Sequence, residues 1–288
     1  MLRTMIKSIL KYIFEKTNIS EVFMSYNAAN IYDISNYGNV LLDARSATYA
    51  ATGYIEITNN PAILICMGDN ESRSCYSGLT EAHYKKLPLI FLSVINDYSL
   101  SYRIEIKDTV YKTIDLSNVI DLEKILQSIF AASQIAKSES LPVHVIVKCP
   151  KNVQKHSFDK IVKQIIDMGP NNYVFVGNQI WKEGAFNAKH NAAGFGYGVL
   201  SNVLGASFCN RFEKYIGICT ETEFVLDINA LGNRHIDDNI SFCVFAKEKK
   251  HYIRDYATSC GFLVFDGIDK LSNIIKNKKS IIILEEEW

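Results

Sequence analysis

Six apolar runs constrain this chain more than any other feature: AILICM (62–67), PLIFLSVI (88–95), PVHVIVKC (142–149), KYIGIC (214–219), ISFCVFAK (240–247) and SIIILEEE (280–287). Each is short, rich in branched residues and continuous rather than alternating, the pattern of a strand buried on both faces. Stretches with helical periodicity lie between them. Strands of that kind separated by helices require βαβ units and a mostly parallel sheet covered on both sides. The fold class is therefore α/β, with two doubly wound, mostly parallel-sheet domains.

The remaining elements follow from local patterns. MLRTMIKSILKYIFEK places apolar residues at 5, 6, 9, 10, 13 and 14, with Lys7, Lys11, Glu15 and Lys16 opposite. That stripe reads as the first helix of the fold rather than a signal peptide, which would carry a continuous apolar block. Short strands are expected at EVFMS (21–25) and Val40–Leu42, and helices over 44–57, around 76–86 and over 120–137. The last of these helices puts Ile120, Ile125, Leu126, Ile129 and Phe130 on one face. In the second half, YVFVGNQI (173–180) and CGFLVFDG (260–267) add strands, and helices are expected at 196–209, 224–232, 251–259 and 268–277. KNVQKHSFDKIVKQIIDMGPNN, more polar and closing near Gly169-Pro170, marks a connection. The expected domains are 1–152 and 172–288, with a linker at 153–171.

Lys plus Arg and Asp plus Glu both total 31, so no electrostatic appetite for nucleic acid or an anionic membrane is expected. No apolar stretch approaches the ~20 residues of a membrane span. Seven cysteines (66, 75, 149, 209, 219, 243, 260) stand singly without CxxC spacing, which argues for reduced thiols in a cytoplasmic protein rather than a disulfide framework or zinc site.

Local motifs for other chemistry are weak. GFGYG (194–198) does not satisfy GxGxxG and reads as a helix entry. His83 reads as a packing or interface residue, and His190, His235 and His251 have no metal-ligand spacing. Ser46 and Ser74 have no adjacent base, and no GxSxG elbow is present. KEKKH (247–251) reads as a solvated loop, although it follows a strand at the end where α/β folds place ligands.

DARSATYAATGY (43–54) and PAILICMGDNESRSCYSGLTEAHYKKLPLIFLSV (61–94) together resemble the pyrimidine-binding domain of thiamine-diphosphate-dependent enzymes. Within that family the likeness is to the menaquinone-pathway succinyl-enolpyruvyl-cyclohexene-carboxylate synthase and to acetolactate synthase. Asp43, Arg45, Ser46, Ala47, Glu81, Ala82, His83, Tyr84, Pro88, Leu89 and Ile90 carry it. GFGYGVLSNVLGASFCNRFEKYIGICTETEFVLDINAL (194–231) is similar to the diphosphate-binding domain, through Gly196, Gly198, Gly205, Ala206, Phe224 and Leu231. A middle domain found between the two in larger members is expected to be missing.

What the resemblance implies about chemistry is mostly loss. The glutamate that activates the cofactor's aminopyrimidine ring aligns with Ala44, whose methyl can neither donate nor accept. The family's Gly-Asp-Gly aligns with Thr220-Glu221-Thr222, beside Glu223, and its metal-binding Asn with Lys247. Asp69, next to Asn70, stands where the family's turn has Gly, near the pyrimidine pocket. A diphosphate beside Glu221 and Glu223 without metal would meet about 4 kcal/mol of repulsion per close like-charge contact. Glu221 is the one residue placed to hold a metal, and Lys247, Lys249 and Lys250 are alternative sources of positive charge.

The resemblance therefore implies a non-catalytic binding or assembly subunit with no bound cofactor expected. The alternative is an active decarboxylase or carboligase of 2-oxo acids that uses thiamine diphosphate and Mg²⁺, with Asp69 or Asp43 as substitute acid. The implied cofactor-side positions are Asp69, Asn70, Gly196, Thr220, Glu221, Thr222, Glu223 and Lys247. A homodimer, or a hetero-oligomer with a related chain, is expected, because family members build their sites between two chains.

Overall fold

A computed structural model describes residues 2–17, 19–95, 106–149, 158–169, 172–177, 180, 198–233, 236–247, 249–276 and 279–285. The chain forms two compact units, Met1–Val153 and Gln154–Trp288.

The first unit is a six-stranded parallel sheet in the order β2-β1-β3-β4-β6-β5. The strands are β1 (Val22–Ser25), β2 (Asn39–Leu41), β3 (Ala62–Met67), β4 (Leu89–Ile95), β5 (Lys112–Leu116) and β6 (Val143–Lys148). One face is covered by α1 (Leu2–Lys16), α2 (Tyr26–Tyr32) and α5 (Leu122–Glu139). The other is covered by α3 (Ala44–Thr58) and α4 (Gly68–Tyr84). β3 and β4 are buried along nearly their whole length, so a sheet face covered by helices on each side accounts for their unbroken apolar runs.

Local chemistry sets the helix limits. Asp43 caps α3 by accepting from Ser46 N at 2.6 Å, and Asn59 closes the helix in the left-handed conformation at φ 55°. α3 and α4 cross closely because Gly78 has no side chain. A Cβ there would lie 2.6 Å from Thr48 Cγ2.

The second unit is a five-stranded parallel sheet in the order β10-β11-β9-β8-β7. Its strands are β7 (Tyr173–Val176), β8 (Tyr215–Thr220), β9 (Ile240–Ala246), β10 (Leu263–Asp266) and β11 (Ser280–Glu285). On one face lie α7 (Val199–Ser207), α8 (Glu221–Leu226) and α9 (Lys250–Ser259). On the other lie α6 (Asp159–Met168) and the short α10 (Asn273–Lys276).

Several expectations shift. The helix expected near 76 begins eight residues earlier, at Gly68, because the chain turns directly off β3 through the positive φ (49°) of that glycine. β5 is an edge strand whose exposed positions leave it no continuous apolar run, and α2 is only seven residues long, too short for a helical period to show. Ile120 lies before α5 and is almost fully exposed, because Asp121 caps the helix after it. The helix expected over 224–232 starts at Glu221 and gives way to a 3-10 turn, Ile228–Gly232. That expected over 268–277 is a 3-10 turn, Ile268–Lys270, followed by α10. Among the described residues, no helix is long and apolar enough to cross a membrane.

Candidate functional site

In the first unit the chain leaves β1 for β2 on one side and returns to β3 on the other. The crevice outside the C-terminal ends of β1 and β3 is therefore a topological switch point, the usual ligand position of such sheets. Glu71, on the first turns of α4, fills it. Its Oε2 accepts from Ser25 Oγ at 2.5 Å and from Met67 N at 2.6 Å, and its Oε1 accepts from Asn27 Nδ2 at 3.0 Å. Ser25 ends β1 and Met67 ends β3, so one buried carboxylate joins both strand ends. Nothing in the sequence singled out Glu71. Its signal is only an acid four residues after a buried strand's last residue, which is common at helix starts.

A second polar chain runs deeper. His144 Nε2 lies 2.8 Å from Ser93 Oγ, Ser93 Oγ lies 3.1 Å from Ser72 Oγ, and Ser72 Oγ donates to Gly68 O at 2.7 Å. Because Ser72 spends its only proton on Gly68, it must accept from Ser93. Ser93 in turn must accept from His144, so the imidazole is the Nε2–H tautomer. Its Nδ1 is buried without a hydrogen-bond partner, and the ring stacks on Phe91 with centroids 4.7 Å apart. Burial pulls the His144 pKa down to about 4, with Asp115 opposing weakly. A serine next to a histidine invites a hydrolytic reading, yet the Ser93 proton points away from the ring and both groups are buried. Tyr32 OH is likewise buried without a partner, and burial, with Cys149 and Glu71 nearby, raises its pKa.

Ala44 opens α3 inside the apolar layer that contains Cys66, Cys75 and Phe91. Its carbonyl accepts from Thr48 Oγ1 at 2.6 Å and from Cys75 Sγ at 3.6 Å. Asp43, a suggested substitute acid, is engaged as the α3 cap. Asp69 and Asn70 form the first turn of α4, but their side chains lie outside the described residues.

In the second unit, Thr220 ends β8 and Lys247 follows β9, so the neighbouring parallel strands bring the two positions together. Glu221 Oε2 accepts from Lys247 N at 2.8 Å and from Lys249 N at 2.9 Å. Thr220 and Glu223 form a reciprocal capping box, with Thr220 N donating to Glu223 Oε2 at 3.0 Å. Glu223 is fully buried, and the end of β7 approaches it at Gly177, where a Cβ would stand 2.2 Å from Glu223 Oε2. Thr222 is half-buried on α8.

Asp227, which sequence reasoning passed over, closes the start of α7. Its Oδ2 accepts from Ser201 N at 2.6 Å and its Oδ1 from Ser201 Oγ at 2.5 Å. Burial raises its pKa above the ordinary carboxylate value. Gly198, at φ +106°, sits at the N-cap of that helix, whereas Gly196, His190 and His235 lie outside the described residues.

Glu221 and Glu223 thus both accept from the chain's own N–H groups. No group of His, Cys, Asp or Glu that could hold a metal ion occurs among the described residues.

A stretch of 62 residues is 36% identical to the 2-succinyl-5-enolpyruvyl-6-hydroxy-3-cyclohexene-1-carboxylate synthase of Bacillus pumilus (strain SAFR-032). The chain resembles a thiamine-diphosphate-dependent enzyme there. The match takes in 22% of this chain and spans 11% of the synthase. No family model matches the chain. Among solved structures, a Rhodococcus jostii RHA1 thiamine diphosphate-dependent 4-hydroxybenzoylformate decarboxylase is similar at 9% identity and a TM-score of 0.43, over 97% of this chain and 98% of that one. A Mycobacterium smegmatis protein assigned to the thiamin diphosphate-dependent enzymes is similar at 8% identity and a TM-score of 0.42, over 99% and 98%.

Proposed function

We propose that this chain is a thiamine-diphosphate-enzyme relative without ylide chemistry, acting as a non-catalytic binding or assembly subunit. The observation that carries this reading is the engagement of Glu221. The one acid placed to hold a metal accepts instead from the backbone of Lys247 and Lys249. Two hydrogen bonds to a charged acceptor contribute about 1.5–3 kcal/mol each. A metal ion that took Oε2 from those two N–H groups would forfeit both bonds, lowering its affinity by about 10²–10⁴-fold.

The rest of the donor set points the same way. Ala44 offers a methyl in an apolar layer, and Asp227 occupies the backbone N–H of Ser201 at the start of α7. These residues do not suit Mg²⁺ and a diphosphate.

Support for assembly comes from the outer side of α3 and α4. Ile57 is 84% exposed and Tyr84 81% exposed at one end of the pair. Lys85 ties that end together, 3.0 Å from Glu56 and 2.7 Å from Glu81. Two exposed apolar side chains at the same end of neighbouring helices offer a contact point to a second copy of this chain or a related one.

Calorimetric titration with thiamine diphosphate and MgCl₂ tests the first claim. The expected result is no heat of binding up to about 1 mM, the level to which a loss of this size takes a micromolar site. Metal-dependent micromolar binding would overturn it. Sedimentation at tens of micromolar, alone and with a related chain added, tests the second claim, and a monomer mass in both removes the assembly role.

A further inference from the structure

The Cys66 and Cys75 sulfurs lie 3.3 Å apart, both shielded from solvent in the layer between the sheet and α3–α4. Cys66 is near the end of β3 and Cys75 is two turns into α4. Cys75 directs its proton to the Ala44 carbonyl at 3.6 Å, which leaves a sulfur lone pair facing Cys66. A disulfide bond is ~2.05 Å long, so joining the two requires an approach of little more than ~1 Å. Cys219 and Cys243 also sit on neighbouring strands, but in opposite core layers.

We propose that Cys66 and Cys75 form a dithiol that a peroxide oxidises to an internal disulfide, fastening the first turns of α4, and with them Glu71, to β3. One thiolate attacks a peroxide oxygen, and the O–O bond breaks to give a sulfenic acid and hydroxide. The second sulfur displaces hydroxide from the sulfenic sulfur and forms the S–S bond. The two thiol protons leave with the two peroxide oxygens as two waters. The thiols lose two electrons and the peroxide gains them. Burial holds the Cys66 thiol in its protonated form, which makes the reaction slow and dependent on a small oxidant. Ala44 O keeps its Thr48 bond after Cys75 loses its proton, so the disulfide strands no buried acceptor.

Tryptic mapping of the full chain tests this, because Arg73 separates the two cysteines into peptides 46–73 and 74–85. The chain is incubated with hydrogen peroxide for hours, denatured, alkylated with iodoacetamide and digested without reduction. The expected product is the two peptides joined, about 2 Da below their summed reduced mass, in more than about half of the chain. Dithiothreitol should separate them, and neither Cys66→Ser nor Cys75→Ala should yield the joined species. Recovery of both peptides separately, after the exposed Cys209 has been oxidised, overturns the proposal. So does a sulfinic acid on either cysteine in place of the cross-link.

Discussion

Replacing Glu71 by Ala removes one acceptor from three donors at once: Ser25 Oγ at 2.5 Å, Met67 N at 2.6 Å and Asn27 Nδ2 at 3.0 Å. Ser25 is fully buried, so water cannot replace the lost partner there. Hydrogen bonds to a charged acceptor contribute about 1.5–3 kcal/mol each, which sums to ~4.5–9 kcal/mol for three. Against that, removing the carboxylate also removes the cost of burying it, several kcal/mol after relaxation. The net expectation is a loss of ~3 kcal/mol. For a unit of this size that lowers the melting temperature by about 6–12 °C.

Glu71→Gln separates shape from charge. The amide oxygen can keep Ser25 and Met67, while Asn27 need only turn its own amide, so ~1 kcal/mol should be lost. Far-UV circular dichroism through a urea series is the readout, since both tryptophans, Trp181 and Trp288, fall in the other unit. A loss under about 1 kcal/mol for Glu71→Ala would refute the reasoning, because it would mean that the strand ends do not depend on this carboxylate.

Two further outcomes are expected. His144 titrates near 4 when folded and near 6.5 when unfolded, so its neutral form adds stability that is complete above pH 6.5 and lost as pH falls toward 4. That amounts to about 3 kcal/mol in urea unfolding, and His144→Gln should remove this part of the pH dependence. Glu221→Ala should leave the Lys247 and Lys249 amides without their acceptor, and hydrogen exchange at those two positions should quicken by about tenfold or more.

The periodicity of the chain by itself determined a good deal. Continuous apolar runs of this length fit strands covered on both faces, so AILICM, PLIFLSVI and ISFCVFAK specify parallel sheets. Positions 221 and 247 meet in the fold for a related reason, since residues just past two buried parallel strands lie at the same edge of the sheet. The edge strand β5 was illegible because exposed positions interrupt its apolar pattern, and α2 because seven residues are too few for a helical period to show.

Tertiary structure alone decided where each polar group points. Glu71 in MGDNES and Asp227 in VLDIN look like ordinary helix-start and turn acids. Their partners, Ser25 and Ser201, are 46 and 26 residues away in sequence, a separation at which no local pattern operates. A hydrogen bond is satisfied within about 3 Å, and only the packed fold sets which donor comes that close.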